Sequence, residues 1–174
     1  DFGINYNPNL QVSNFINVNK LSETSFILTA PVEKQFGEVF ALRVEGKADI
    51  TSYSTKNAFP NFKGNNNVFQ VAPSLVFSTP RVSINGGIIP TWDNGKFEWL
   101  PNVFAEAYIA ENVFAFQAGW VGKYTKNSYR NLSDLNPYYA ILAPQKNTKE
   151  IEYYGGIKGT LGKHFSFNAK AGYV

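Results

Sequence analysis

Phe40-Ala41-Leu42-Arg43-Val44-Glu45-Gly46-Lys47-Ala48-Asp49-Ile50-Thr51-Ser52 is the stretch whose reading decides the fold. Its even positions from Phe40 to Ile50 are apolar or small. Its odd positions Arg43, Glu45, Lys47, Asp49 and Thr51 are charged or polar. Side chains two residues apart share one face of a strand, whereas a helix would scatter both sets around its circumference. The stretch is therefore a strand with one apolar face and one charged face.

The same period continues along the chain in both directions. Phe69, Val71, Pro73, Leu75 and Phe77 alternate with Gln70, Ala72 and Ser74, and Val82, Ile84, Gly86 and Ile88 alternate with Ser83, Asn85 and Gly87. Trp99, Val103, Ala105, Ala107 and Ile109 oppose Glu98, Asn102 and Glu106, with Phe104 and Tyr108 interrupting the polar side. Phe114, Phe116, Ala118, Trp120 and Tyr124 oppose Gln117, Gly119 and Lys123. The last two runs are Ile151–Leu161 and Phe165–Tyr173, with Lys158 and Lys170 on their polar sides. A shorter run at Ser25–Ala30 brings the number to eight strands, and the first ~20 residues add one or two weaker ones, so 8–10 are expected.

Composition agrees with a β protein. Aromatics make up 16% and charged residues only 17%, against ~25% charged in an ordinary soluble domain. No run approaches the ~20 apolar residues of a membrane-spanning helix. The net charge of +3 comes from scattered lysines, not a basic stripe, so no nucleic-acid partner is expected. Cysteine and methionine are absent. The first absence removes disulfides and thiolate chemistry. The second makes the chain read as a processed product or as a piece of something longer.

The links between strands alternate in length. Ser78-Thr79-Pro80-Arg81, Glu111-Asn112 and Gly162-Lys163-His164 read as tight turns, and 56–67 and 126–149 as long loops. Two links fit less well: 31–38 is long for a tight turn, and Asp93-Asn94-Gly95-Lys96 is short for a loop. Tight turns at one end and long loops at the other are the pattern of a transmembrane barrel. Strands of 11 to 15 residues exceed the ~9–11 needed to cross a bilayer. Aromatics near strand ends (Tyr53, Phe69, Phe77, Trp92, Trp99, Phe114, Tyr124, Tyr153, Phe165) suit two interfacial girdles. The expected fold is all-β, an antiparallel up-and-down transmembrane β-barrel or a segment of one, with residues 1–174 forming a single barrel domain or barrel fragment. Its lumen side would carry Arg43, Glu45, Lys47, Asp49, Glu98, Glu106, Lys158 and Lys170. Its lipid side would carry Leu42, Val44, Ile84, Ile88, Phe114, Phe116, Trp120 and Phe167.

The hairpins Val103–Tyr124 and Glu150–Val174 resemble those of the barrel portion of TonB-dependent-receptor-like outer-membrane proteins. In the second, Glu150-Ile151-Glu152-Tyr153-Tyr154-Gly155-Gly156-Ile157-Lys158-Gly159 descends, Gly162-Lys163-His164 turns, and Phe165-Ser166-Phe167-Asn168-Ala169 ascends. Asn136-Pro137-Tyr138-Tyr139 in the preceding loop also fits. The similarity covers about two thirds of the chain and is one of pattern more than motif. It implies membership of a barrel wall in a bacterial outer membrane. Nothing in the chain reads as the plug or the TonB-contacting box of such receptors.

Catalytic chemistry finds little material. His164 is the only histidine and lies in a turn without partners in sequence. Glu98 and Glu106 share a face but stand about 26 Å apart at a strand's rise, far beyond a glycosidase pair. Gly155–Gly162 has the glycines of a phosphate loop but keeps strand alternation and lacks the helix that should follow. No enzyme, cofactor or metal site is expected. The alternating charges Arg43, Glu45, Lys47 and Asp49 read as a ladder of lumen ion pairs or as a lining that sets solute preference. In the long loop, Tyr129, Arg130, Tyr138 and Tyr139 are candidates for partner contact. The expected role is transport or permeation, porin-like, or service as a membrane-embedded subunit of a larger outer-membrane complex. The expected partners are membrane lipid and other outer-membrane proteins or lipoproteins. The alternative is a soluble lipocalin-like barrel that binds a hydrophobic ligand inside.

Overall fold

The computed structural model describes residues 4–16, 21–55, 63–110, 114–136, 146–161 and 165–174. They form one all-β antiparallel sheet with a single short helix. In chain order the elements are β1 (Ile4–Tyr6), β2 (Asn9–Ile16), β3 (Leu21–Phe36), β4 (Phe40–Thr55), β5 (Lys63–Ser78), β6 (Val82–Asp93), β7 (Lys96–Ala110), β8 (Phe114–Thr125), α1 (Tyr129–Leu135), β9 (Thr148–Leu161) and β10 (Phe165–Tyr173). From β3 onward each strand pairs with the next, and β1 and β2 both pair with the free side of β3. Tyr6 opposes Val32 and Asn9 opposes Thr29, which is one continuous register. β1 and β2 are thus one column interrupted at Pro8, which has no N–H to give, and Pro31 on the facing strand lies in the same gap. Asn7 N–H still donates to the Pro31 carbonyl across it. A second gap, between β5 and β6, contains Pro73 and Pro90 and likewise leaves the register unchanged on either side.

The run expected at Ser25–Ala30 is therefore only the middle of a 16-residue strand. The link expected over 31–38 shrinks to Gly37-Glu38-Val39, with Gly37 at φ +70°. Pro31 looked like a strand end because proline costs a ladder bond; here the neighbouring column is broken at the same point. With that correction, links of three residues (37–39, 79–81, 111–113, 162–164) stand at one end of the sheet. The other end has the links 56–62 and 126–147, and also the two-residue turn Asn94-Gly95. Those two residues have φ +49° and +87°, as a tight hairpin of Asn-Gly type requires.

The described residues make an open sheet: β10 bonds only β9, and β1 and β2 bond only β3. The all-β antiparallel architecture stands, while closure into a barrel does not follow from it. The sheet is nonetheless curled. Tyr129, four residues beyond the end of β8, donates its backbone N–H to the Glu23 carboxylate on β3 at 2.7 Å. β8 and β3 are five strand spacings apart, ~24 Å if flat, and four residues of chain reach at most ~14 Å. Only a sheet bent toward its polar face brings them together.

Burial is distributed in the reverse of a soluble protein. Among the described strand residues, every large hydrophobic side chain with marked exposure lies on the apolar face set by the alternation, from Ile4 and Leu10 through Phe40, Leu75, Ile88 and Trp99 to Phe165 and Tyr173. The opposite face buries Glu23, Ser25, Asp49, Thr51, Thr55, Asn66, Ser74, Asn85 and Thr91. The apolar core is a small cluster of Leu21, Tyr53 and Tyr129 with Phe15 against it.

Candidate functional site

Among the described residues, the charged side chains that pair with one another gather on the polar face. All eight residues expected there, Arg43, Glu45, Lys47, Asp49, Glu98, Glu106, Lys158 and Lys170, share it by strand register. Their pairing differs from the expected ladder along β4. Arg43 binds Glu33 on β3 through Nε and an Nη at 2.9 and 2.6 Å. Asp49 binds Lys126 from the β8–β9 link. Glu45 and Lys47 form no ion pair with a described residue. Charges two apart on one strand are separated by ~7 Å, so cross-strand and loop partners are the nearer ones. Glu98 accepts from Lys96 at 2.7 Å and from Lys149 at 2.8 Å, and Glu106 accepts from Lys158 at 2.6 Å and from the Tyr108 hydroxyl at 2.8 Å. The two carboxylates serve different cations and form no acid–base pair. Lys170 lies 3.8 Å from the centre of the Tyr154 ring.

Residues 126–136 of the link after β8 are folded over this face. Ser128 caps α1 by accepting from the Asn131 N–H, and a short helix begins. Lys126 donates to the Asp49 carboxylate, to Thr51 Oγ1 at 2.6 Å and to the Asp49 carbonyl at 3.2 Å. Burial draws the Lys126 ammonium below its usual range, and the Asp49 carboxylate opposes the shift. The Tyr129 ring packs edge-on against Tyr53, with centroids 4.9 Å apart. An amide network then joins the roots of three links. Asn66 and Asn147 exchange side-chain hydrogen bonds at 2.9 and 2.7 Å, and Asn147 also donates to Asp93 at 2.7 Å. Asn94 donates to Asn66 and Asp93, while Asn147 Oδ1 accepts the Asn127 backbone N–H. Under the segment lies a cavity of about 430 Å³ whose lining includes Glu23, Asp49, Thr51, Lys126, Arg130 and Asp134.

Two sets of expected residues are corrected by this arrangement. Tyr129, taken as a partner-contact residue, is 1% exposed, because its ring fills the space over Tyr53 and Leu21. Arg130 is exposed, and Tyr138 and Tyr139 lie outside the described residues, as does His164. Tyr53, taken as a girdle aromatic, is buried on the polar side at 8% exposure. Tyr124 is half-buried, and its hydroxyl donates to Asp93. The other aromatics of that set which the structure describes lie on the apolar face. There Trp99, Trp120 and Tyr153 form a run with centroids 6.1 and 5.8 Å apart, and Phe40 meets Phe77 at 5.1 Å. Leu42, Val44, Ile84, Ile88, Phe114, Phe116, Trp120 and Phe167 all fall on this face, with Phe116 and Ile88 about half exposed.

Sequence reasoning missed Glu23, Glu33, Lys126 and Lys149 as partners of the charged face, and also the asparagine cage. Glu33 lay in the stretch read as a link. Lys126 and Lys149 bounded the stretch read as solvated loop. The available signal was Ser128 ahead of Leu132 and Leu135, a cap followed by apolar residues at helical spacing.

A curled antiparallel sheet, apolar on its exposed face and ion-paired on its sheltered one, is the class of architecture that these observations define. No family model, curated protein or solved structure matches the chain.

Proposed function

We propose that this chain forms wall of a bacterial outer-membrane β-barrel, with the apolar face against lipid and the polar face toward an aqueous lumen. It acts in transport or permeation, or as the membrane-embedded subunit of a larger outer-membrane complex, and performs no catalysis. The observation that carries the reading is the inverted burial: contiguous Phe, Trp, Leu, Ile and Val outward, ionised and amide side chains inward. Water on both sides would leave that apolar face unsatisfied, since soluble monomers rarely expose more than a few hundred Å² of it. A lipocalin-like ligand binder needs the opposite curl, with the apolar face inside.

Strand length supports the same reading. Sixteen residues at ~3.3 Å each, tilted ~45°, rise ~37 Å, enough for the hydrocarbon layer and a margin on either side. No described helix is long and apolar enough to cross a membrane, so crossing would fall to the strands. The TonB-dependent-receptor-like pattern of the hairpins Val103–Tyr124 and Glu150–Val174 fits such a wall. In such a barrel, residues 126–136, anchored on the polar face through Lys126 and Tyr129, would narrow the lumen at the long-link end.

The test is native fractionation beside an unheated gel. Retention in the sarkosyl-insoluble outer-membrane fraction, with a band that shifts on heating, is expected. Clean release into the soluble fraction without a shift overturns the reading.

A further inference from the structure

We infer that the two free edges of the sheet are joined by an odd number of further antiparallel strands, and neither by each other nor by a second copy of this chain. The geometry is one of parity. β1 and β2 make one column and β3 to β10 make eight more, nine in all, each antiparallel to the next. The first and ninth columns therefore run the same way, from the three-residue-link end to the long-link end. Self-closure would set β10 parallel to β1 and β2, breaking the pattern of every other seam. Single-chain bacterial barrels avoid such a seam by having even strand numbers. One further strand, or three, or five, restores antiparallel pairing at both edges.

A second copy does not meet the need. In a bilayer all copies stand the same way up, and rotation about the membrane normal leaves strand direction unchanged. Each edge of another copy would thus also meet β10 in parallel. This step and the preference for an even strand number rest on the membrane-wall reading; the shared direction of the first and ninth columns does not.

The β10 edge itself is built for an occupant. Natural edges are blunted by proline, bulges or clustered charge. β10 pairs with β9 in one unbroken register over nine residues, contains no proline, and has Lys170 as its only charge. Within hydrocarbon an unpaired row of N–H and C=O groups is not sustainable. The occupant strand is specified by alternation: apolar residues beside Phe165, Phe167, Ala169 and Ala171, and polar ones beside Ser166, Asn168 and Lys170. Lys170 forms no ion pair with a described residue, so an acidic side chain on the occupant's inner face fits there.

The test uses the absence of native cysteine. Single and paired cysteines are placed at Leu10, Val12 or Asn14 on β2 and at Phe167, Ala169 or Ala171 on β10, in protein assembled in its own membrane. Direct pairing brings some combination within the ~4.4–6.8 Å between Cα atoms that a disulfide needs, whereas one intervening strand holds the edges ~10 Å apart. In parallel, Asn168→Pro and Ala169→Pro remove adjacent amides, one facing β9 and the other facing outward. The inference expects no β2–β10 disulfide, no covalent dimer from single variants, and loss of the heat-shifted band with both prolines. It is overturned by an intramolecular disulfide (self-closure), by a dimer (a second copy), or by one tolerated proline (an open edge). Failure of the membrane reading has a separate mark: wild-type protein that is soluble and shows no heat shift.

Discussion

Val71→Arg tests the outward face directly. Val71 is the ninth of sixteen residues in β5, pairs with Gly46, and is 40% exposed. If that face met water, the substitution would lose about three fifths of a valine's burial, roughly 1 kcal/mol. If it meets lipid at mid-depth, a charge there costs about 2–4 kcal/mol, a ~30- to ~900-fold change in the folding equilibrium. Depth supplies the internal control. Ile109, on the same face at the three-residue-link end of β7, is 66% exposed, and Ile109→Arg should cost only ~0–1 kcal/mol near an interface. The assay is urea unfolding in lipid vesicles, followed by the heat-shifted band and by fluorescence of Trp92, Trp99 and Trp120 on the outer face. Equal losses for the two variants, within ~0.5 kcal/mol, would refute the lipid assignment, because water has no depth profile.

Lys126→Met should free residues 126–136 from the sheet, at about 3–5 kcal/mol for a buried carboxylate left unpaired; limited proteolysis within the segment reads it, and unchanged resistance counts against Lys126 as the anchor of that segment. Arg43→Ala, which breaks the more exposed pair with Glu33, should cost under ~1 kcal/mol in the same urea titration. Gly86→Ala and Gly87→Ala should separate. A Cβ at Gly86 meets open space, but at Gly87 it would lie 2.6 Å from the Pro73 carbonyl oxygen, so only the second should lose stability, by about 1–3 kcal/mol, as thermal unfolding can show.

Alternation made the sheet legible, because one buried polar face and one exposed apolar face fix every side chain's side by parity. Phe40–Ser52 therefore read correctly without any knowledge of neighbours. What parity could not reach was register. Pro31 ended a strand on paper, yet the ladder tolerates it because Pro8 breaks the adjacent column at the same level. Nor could parity place Phe116 in depth. It is the third residue of β8 and pairs with Ala107 and Ile157 near the three-residue-link end, so it suits a girdle better than mid-membrane. The loop residues were least legible. Tyr129 and Arg130 are adjacent in one polar stretch, and only the curl of the sheet decides that one ring is buried while its neighbour stays in water.

The asparagine cage carries a last prediction, in which charge and packing can be told apart. Asn147 gives one amide hydrogen to Asn66 and the other to Asp93, each at 2.7 Å, while its oxygen accepts from Asn66 and from the Asn127 backbone. N147A leaves those partners short of bonds, at about 1–3 kcal/mol each where buried, and that loss should be nearly independent of pH. N147D keeps the volume and the accepting oxygen but replaces a donor to Asp93 with a second carboxylate. Two carboxylates in contact repel when both are ionised. The destabilisation is then full near neutral pH and fades on acidification, as a proton taken up between the two carboxylates restores a donor. Urea titrations at pH 7.5 and pH 4.5 should thus show the N147D deficit shrinking while that of N147A holds. A deficit that stays constant for both variants would mean that Asp93 is screened by solvent, and that the cage holds the links by shape alone.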